Sequence, residues 1–159
     1  MRFSLRRFVL ADMEELLVIE RACFGRDAYD RNLFAEYLRI CGALFLVVEG
    51  AAPAARGQGV KPVPLGYSIA CICRGRPALA NLISIAVVPE ARGRGAASLL
   101  LSSTLRRLKL RGVERLTLVA RKSNGGAIRF YERHGFTRLR RAPRYYEDGE
   151  DGLLMRKRL

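Results

Sequence analysis

The stretch LISIAVVPEARGRGAASLLL, residues 82–101, constrains this chain more than any other, because the period of its apolar residues changes part-way along. Leu79 to Val88 reads as an apolar strand closed by Pro89, and Leu99, Leu100, Leu105 and Leu108 then recur at helical spacing until Gly112 stops them. A strand that runs through a turn holding Gly93 and Gly95 straight into a helix belongs to an α/β arrangement. Small residues there let the backbone approach a ligand, and the helix-start amides and macrodipole favour a phosphate. Arg92 and Arg94 add charge-assisted contacts. The run fits neither GxxxxGK[ST] nor GxGxxG, since Ala96, Ala97 and Ser98 follow Gly95.

The remaining elements are consistent with one domain over residues 1–159. Residues 2–9 read as a strand, and Asp12 with Glu15 as a capping box opening a helix whose buried stripe is Met13, Leu16, Leu17, Ile19 and Cys23. Gly25 ends that helix, and a second spans Arg31 to Arg39. Strands follow at Leu44 to Glu49 and Val63 to Cys73, with the Ala-, Gly- and Pro-rich segment 51–62 between them as a long hairpin loop. Leu116 to Ala120 is a strand and Asn124 to Arg133 a short helix ended by Gly135. Phe136 to Tyr146 and Leu153 to Arg158 form a closing hairpin.

The formal charge is +14, and it is uneven: residues 1–80 contribute +3 and residues 81–159 contribute +11. With half the residues apolar, this is a folded domain with a basic surface, and its second half calls for an anionic partner. His134 is the only histidine, which removes Ser-His-Asp, Cys-His and multi-histidine metal sites; placed beside Gly135, it reads as a helix-end residue without chemistry. Cys23, Cys41, Cys71 and Cys73 lack CxxC spacing and read as reduced packing residues of a cytoplasmic protein. No apolar run is long enough to cross a bilayer, and Asp12, Glu14 and Glu15 interrupt any signal-peptide core.

Arg92, Gly95 and Ala97 fit R-x-x-G-x-A, which resembles the acetyl-CoA pyrophosphate loop of the Gcn5-related N-acetyltransferases. The block SNGGAIRFYERHGF, with Asn124, Ala127, Ile128, Tyr131, Gly135 and Phe136, is similar to the signature of the branch that acetylates protein N-termini and a ribosomal-protein alanine. The tail RYYEDGEDGLLMRKRL and the segment IERACF at Glu20 resemble the same branch. The resemblance implies a mixed, mostly antiparallel central sheet with helices on both faces, acetyl-CoA as cosubstrate and no metal. It also implies that Ile85, Ala86 and Val87 lie along the pantetheine and acetyl group, and that Arg92, Gly93, Arg94, Gly95, Ala96, Ala97 and Ser98 cradle the pyrophosphate. By the same resemblance Asn124 would hold the cofactor and Tyr131 would be the general acid; from the residues alone Asn124 reads as a helix N-cap, a role compatible with cofactor contact, and Tyr131 as a core residue beside Phe130. The resemblance further implies that Phe24, Tyr29, Tyr145 and Tyr146 line a groove for a peptide N-terminus, where Glu147, Asp148, Glu150 and Asp151 would attract a cationic amine; the residues alone read as an aromatic hairpin with a solvated acidic turn.

One position departs from the branch. Where its pattern has L-E-V-R this chain has Leu118, Val119, Ala120 and Arg121, so a valine stands in place of the catalytic base. An α-amine near pKa 8 is about a quarter neutral at pH 7.5, against roughly one lysine in a thousand. The loss therefore favours an α-amine nucleophile, with Ser84, Asn81 and Glu36 as candidates to position an assisting water. Rival readings are acetylation of lysine or a small amine, a CoA-binding protein impaired in catalysis, and a nucleic-acid module using Arg138, Arg140, Arg141 and Arg144 as a phosphate-tracking stripe. On the acetyltransferase reading, that stripe recruits a ribosome or another RNA-rich partner.

Overall fold

The structure is a computed structural model that describes residues 2–51 and 61–159; the expected 51–62 loop lies, over 52–60, outside them. The elements are β1 (Phe3–Arg7), α1 (Met13–Phe24), α2 (Arg31–Cys41), β2 (Phe45–Ala51), β3 (Pro62–Ile72), β4 (Leu79–Val87), α3 (Ala96–Lys109), β5 (Arg115–Arg121), α4 (Gly125–Arg133), β6 (Thr137–Ala142) and β7 (Gly152–Arg158). The strands follow the order β1-β2-β3-β4-β5-β7-β6. The β4–β5 ladder is parallel and the β1–β2, β2–β3, β5–β7 and β6–β7 ladders are antiparallel, which is the expected mixed sheet. The chain divides into two compact units, one of Met1–Cys71 with Ile83–Leu108, the other of Ile72–Leu82 with Lys109–Leu159.

In the first unit both faces of β2 are buried. Phe45 and Val47 pack with Leu16 and Leu17 of α1 and Phe34 of α2, while the alternate residues Leu46 and Val48 pack with Ala96 and Leu100 of α3. Period-2 alternation thus places helices on opposite faces. At Gly66 in β3 a Cβ would sit 2.5 Å from the carbonyl oxygen of Ala86, so only glycine allows β4 this close.

Two expectations change in this unit. Asp12 does not cap α1, because a short 3₁₀ turn over Leu10–Asp12 gives it helical φ −83° and ψ −8° instead of the extended conformation of an N-cap. Its carboxylate accepts the Val9 N–H at 2.9 Å and pairs with Arg6 at 2.6 Å. The second change concerns the thiols: Cys41 at the end of α2 and Cys71 in β3 form a disulfide, with Cα atoms 5.1 Å apart. Thirty residues separate them in sequence, and only the seating of α2 on β3 brings them together, so spacing gave no hint of it. Cys23 and Cys73 are free.

In the second unit β4 pairs with β5 over three residues only, Leu79–Asn81 against Arg115–Thr117. By contrast, β5 pairs with β7 along its whole length, from Arg115–Arg158 to Arg121–Gly152. Leu116, Leu118 and Ala120 are buried on one face of β5, and Thr117, Val119 and Arg121 lie on the other. The closing hairpin is shorter than expected, since β6 stops at Ala142, before Pro143 and a left-handed Arg144 at φ 48°.

Candidate active site

The turn between β4 and α3 is built by backbone conformation. Gly93 and Gly95 have φ of 67° and 93°, and a Cβ on either would meet nothing within 4 Å, so glycine is needed there for its dihedral angles. The first bond of α3 runs from Leu99 N–H to the Gly95 carbonyl at 2.9 Å, and the amides of Ala96 and Ala97 precede the helical ladder. Such a turn suits an anion. Arg92 braces it instead of pointing freely at a ligand, because its Nε donates to the Val87 carbonyl at 2.9 Å. On β4, Ile85 and Val87 pack with the α3 cluster and Ala86 with the α1–α2 cluster.

A buried polar chain lies in the same unit, and only its last member was foreseen as a site residue. Glu20 is 1% exposed on α1, and its carboxylate accepts the Tyr29 N–H at 2.9 Å and the Tyr67 hydroxyl. The Tyr67 oxygen is 3.1 Å from Ser84 Oγ on β4. Burial pushes the Glu20 carboxyl above its ordinary range despite those two hydrogen bonds, and raises Tyr67 well above a normal phenol. The sequence signal was a carboxylate four residues after Leu16, on the buried stripe of an amphipathic helix. Tyr29 sits among Phe34 and Tyr37, with its hydroxyl 3.5 Å from the Ile83 carbonyl, and Phe24 is exposed at the end of α1.

In the second unit Tyr131 is buried, with ring centroids of Phe130 and Phe136 at 5.3 and 5.6 Å. Burial, and then the Tyr146 phenol, hold its pKa far above that of a free phenol. Asn124 caps α4 by accepting the Ala127 N–H at 3.1 Å. His134 ends the same helix, with Nδ1 2.7 Å from the Phe130 carbonyl. Val119 and Tyr145 both crowd Gly152, where a Cβ would lie 2.4 Å from Val119 Cγ1 and 3.2 Å from Tyr145 Cβ. Arg121 stacks on the Tyr146 ring at 4.0 Å and binds Asp148 and Glu150 at 2.9 and 2.7 Å. Asp151 accepts the Arg144 N–H at 2.9 Å and lies 3.4 Å from Arg141. The acidic segment is therefore mostly committed to arginines and to holding the β6–β7 connection.

The model of the acetyltransferase (GNAT) family matches residues 11–136. The chain belongs to that family. An N-alpha-acetyltransferase of Saccharolobus solfataricus is 29% identical to this acetyltransferase over 160 residues, covering 99% of this chain and 93% of the relative. The [ribosomal protein bS18]-alanine N-acetyltransferase of Salmonella typhimurium is 38% identical over 79 residues, 48% of this chain and 53% of that one. The crystal structure of Ard1 from Thermoplasma volcanium superposes with a TM-score of 0.85 at 22% identity, covering 99% and 97% of the two chains, and so shows the same fold.

The β6–β7 register corrects the expected arginine stripe of this acetyltransferase. A shift between Arg138 and Arg140 sets Arg138 opposite Met155 and Arg141 opposite Leu153, on the face of α4, where Arg138 pairs with Glu132 at 2.6 Å. Arg140 lies opposite Leu154 on the other face, together with Arg156 and the cross-strand pair Arg115–Arg158. Like charges directly opposite each other cost stability, and no carboxylate from β5, β6 or β7 shares that face.

Proposed function

We propose that this acetyltransferase moves the acetyl group of acetyl-CoA to the α-amine of a protein or peptide N-terminus by direct attack. The observation that carries the reading is Val119: the place of the branch's base holds an aliphatic side chain packed over Gly152, which suits a nucleophile already partly neutral near pH 7.5. The names of its relatives support the same choice. Gly93 to Ser98 hold the pyrophosphate through the β4–α3 turn, with Arg92 and Arg94 adding positive charge beside it. Ile85 to Val87 run along the pantetheine, and the Val87 amide donates to the oxyanion of the tetrahedral intermediate. Asn124 keeps both of its roles, and Phe24, Tyr29, Tyr145 and Tyr146 contact the peptide.

Tyr131 needs a narrower role than full acid. A thiol near pKa 8.5 is a far stronger acid than a phenol held above 10, so complete transfer to the departing thiolate would run uphill. Tyr131 instead donates a hydrogen bond that strengthens as charge develops on sulfur.

The same reading sets the enzyme in the cytoplasm and makes the Arg115, Arg140, Arg156 and Arg158 face a contact for ribosomal RNA near emerging N-termini. The deciding experiment offers acetyl-CoA with N-terminal peptides, internal-lysine peptides and polyamines, and follows products by mass spectrometry. Acetylation at peptide α-amines is expected; turnover of lysine or polyamines alone would overturn the proposal.

A further inference from the structure

We propose that Ser84, Tyr67 and Glu20 form a proton relay that does the work Val119 cannot, accepting a proton from the substrate ammonium at Ser84 and holding it on the Glu20 carboxylate only while the amine attacks. This rests on the α-amine reading above. Of the three side chains that could position a water, only Ser84 leads to a buried base. Asn81 accepts a hydrogen bond from Thr117, and Glu36 is exposed beside Arg39. The direction of the chain follows from its hydrogen bonds. Glu20 is acceptor-only when ionised, so Tyr67 must donate to it, and Ser84 must donate to Tyr67. The Ser84 oxygen, half-buried on the residue before Ile85, is left to accept from an ammonium or an intervening water.

The protons balance. One N–H bond of the ammonium breaks and its electron pair stays on nitrogen. That proton joins Ser84 Oγ as the Ser84 proton moves to Tyr67 and the Tyr67 proton to Glu20, so ammonium plus carboxylate become amine plus carboxylic acid with no charge left on the two hydroxyls. After the amine attacks, its second proton goes with the thiolate, and the proton on Glu20 returns to solvent by the reverse path. The groups facing Glu20 are the Tyr67 phenol from β3, itself close enough to the Tyr29 phenol to feel it, and the backbone N–H of Tyr29 from the α1–α2 connection. No cation among the described residues contributes to its ionisation. A carboxylate held above its ordinary range by burial is a better base for the task.

The test is the pH profile of kcat/KM for an N-terminal peptide with the parent, Ser84→Ala and Glu20→Gln. An α-amine near pKa 8 is about three-quarters neutral at pH 8.5 and about 1% neutral at pH 6. Both variants should stay within about twofold of the parent at pH 8.5 and fall roughly tenfold per pH unit below the amine pKa, while the parent declines less steeply. A peptide with a less basic N-terminal amine should restore much of the loss, which a merely structural defect would not allow. Glu20→Gln keeps an acceptor for one of its two donors, and melting temperatures of both variants verify the fold. Parallel profiles for parent and variants overturn the relay alone. A parent that acetylates no α-amine overturns the proposed reaction and the relay with it.

Discussion

At Asp12 one carboxylate joins β1 to the start of α1. It is nearly buried, and burial pushes it up, but the hydrogen bonds from Arg6 and Val9 more than offset this and hold it below the usual carboxylate value. Among the described residues, Asp12→Asn leaves Arg6 with Glu49 as its one carboxylate partner, and it should cost about 2 kcal/mol at pH 7. Because the folded value is depressed, that stability is present above the ordinary Asp pKa and is lost as pH falls through the folded one. Melts of parent and variant should therefore converge once the pH falls below the ordinary aspartate range. Tyr131→Phe removes the donor to the developing thiolate but no buried ring, and kcat should fall about 10- to 100-fold with little change in melting temperature. The sequence marked Tyr131 and Val119 through the motif around them. It could not show that Asp12 turns back to Arg6, because a 3₁₀ turn ahead of α1 leaves no trace in the apolar pattern.

The β4–α3 turn and the α2–β3 staple were legible to different degrees. Two glycines between a strand and a helix announce the turn, and the reason for both is a positive φ. Gly93→Ala with Gly95→Ala should strain the loop by about 1 kcal/mol per residue and raise the KM for acetyl-CoA several-fold, with kcat less affected. The Cys41–Cys71 bond depends on tertiary placement, which no periodicity encodes. Only two thiols should react in denaturant without reductant. Replacing both bonded cysteines with serine should cost about 3–4 kcal/mol by the loop-closure model, read as a lower melting temperature.

Across the whole molecule the charge is more concentrated than the halves suggested. The unit of Ile72–Leu82 with Lys109–Leu159 carries 16 basic and 6 acidic side chains, a net +10 of the total +14. Changing Arg140, Arg156 and Arg158 to Glu should weaken binding to an RNA polyanion. The slope of log K against log salt should become shallower by about 2–3, while turnover of free peptides is unchanged. Unaltered RNA affinity would remove these arginines from the contact. The element order was readable from periodicity and glycines; the face on which each arginine lies was not, because it turns on the register shift in β6.

That strand has one more consequence. Among the described residues β6 ends the sheet and its outer row of N–H and C=O groups has no neighbouring strand; such an edge can template strand addition by another copy. Arg138, Arg140 and Arg141, with the shift between the first two, guard it by charge repulsion and irregular pairing. Substituting valine or threonine there would leave an open seam, and the molecule should then self-associate with rising concentration and salt.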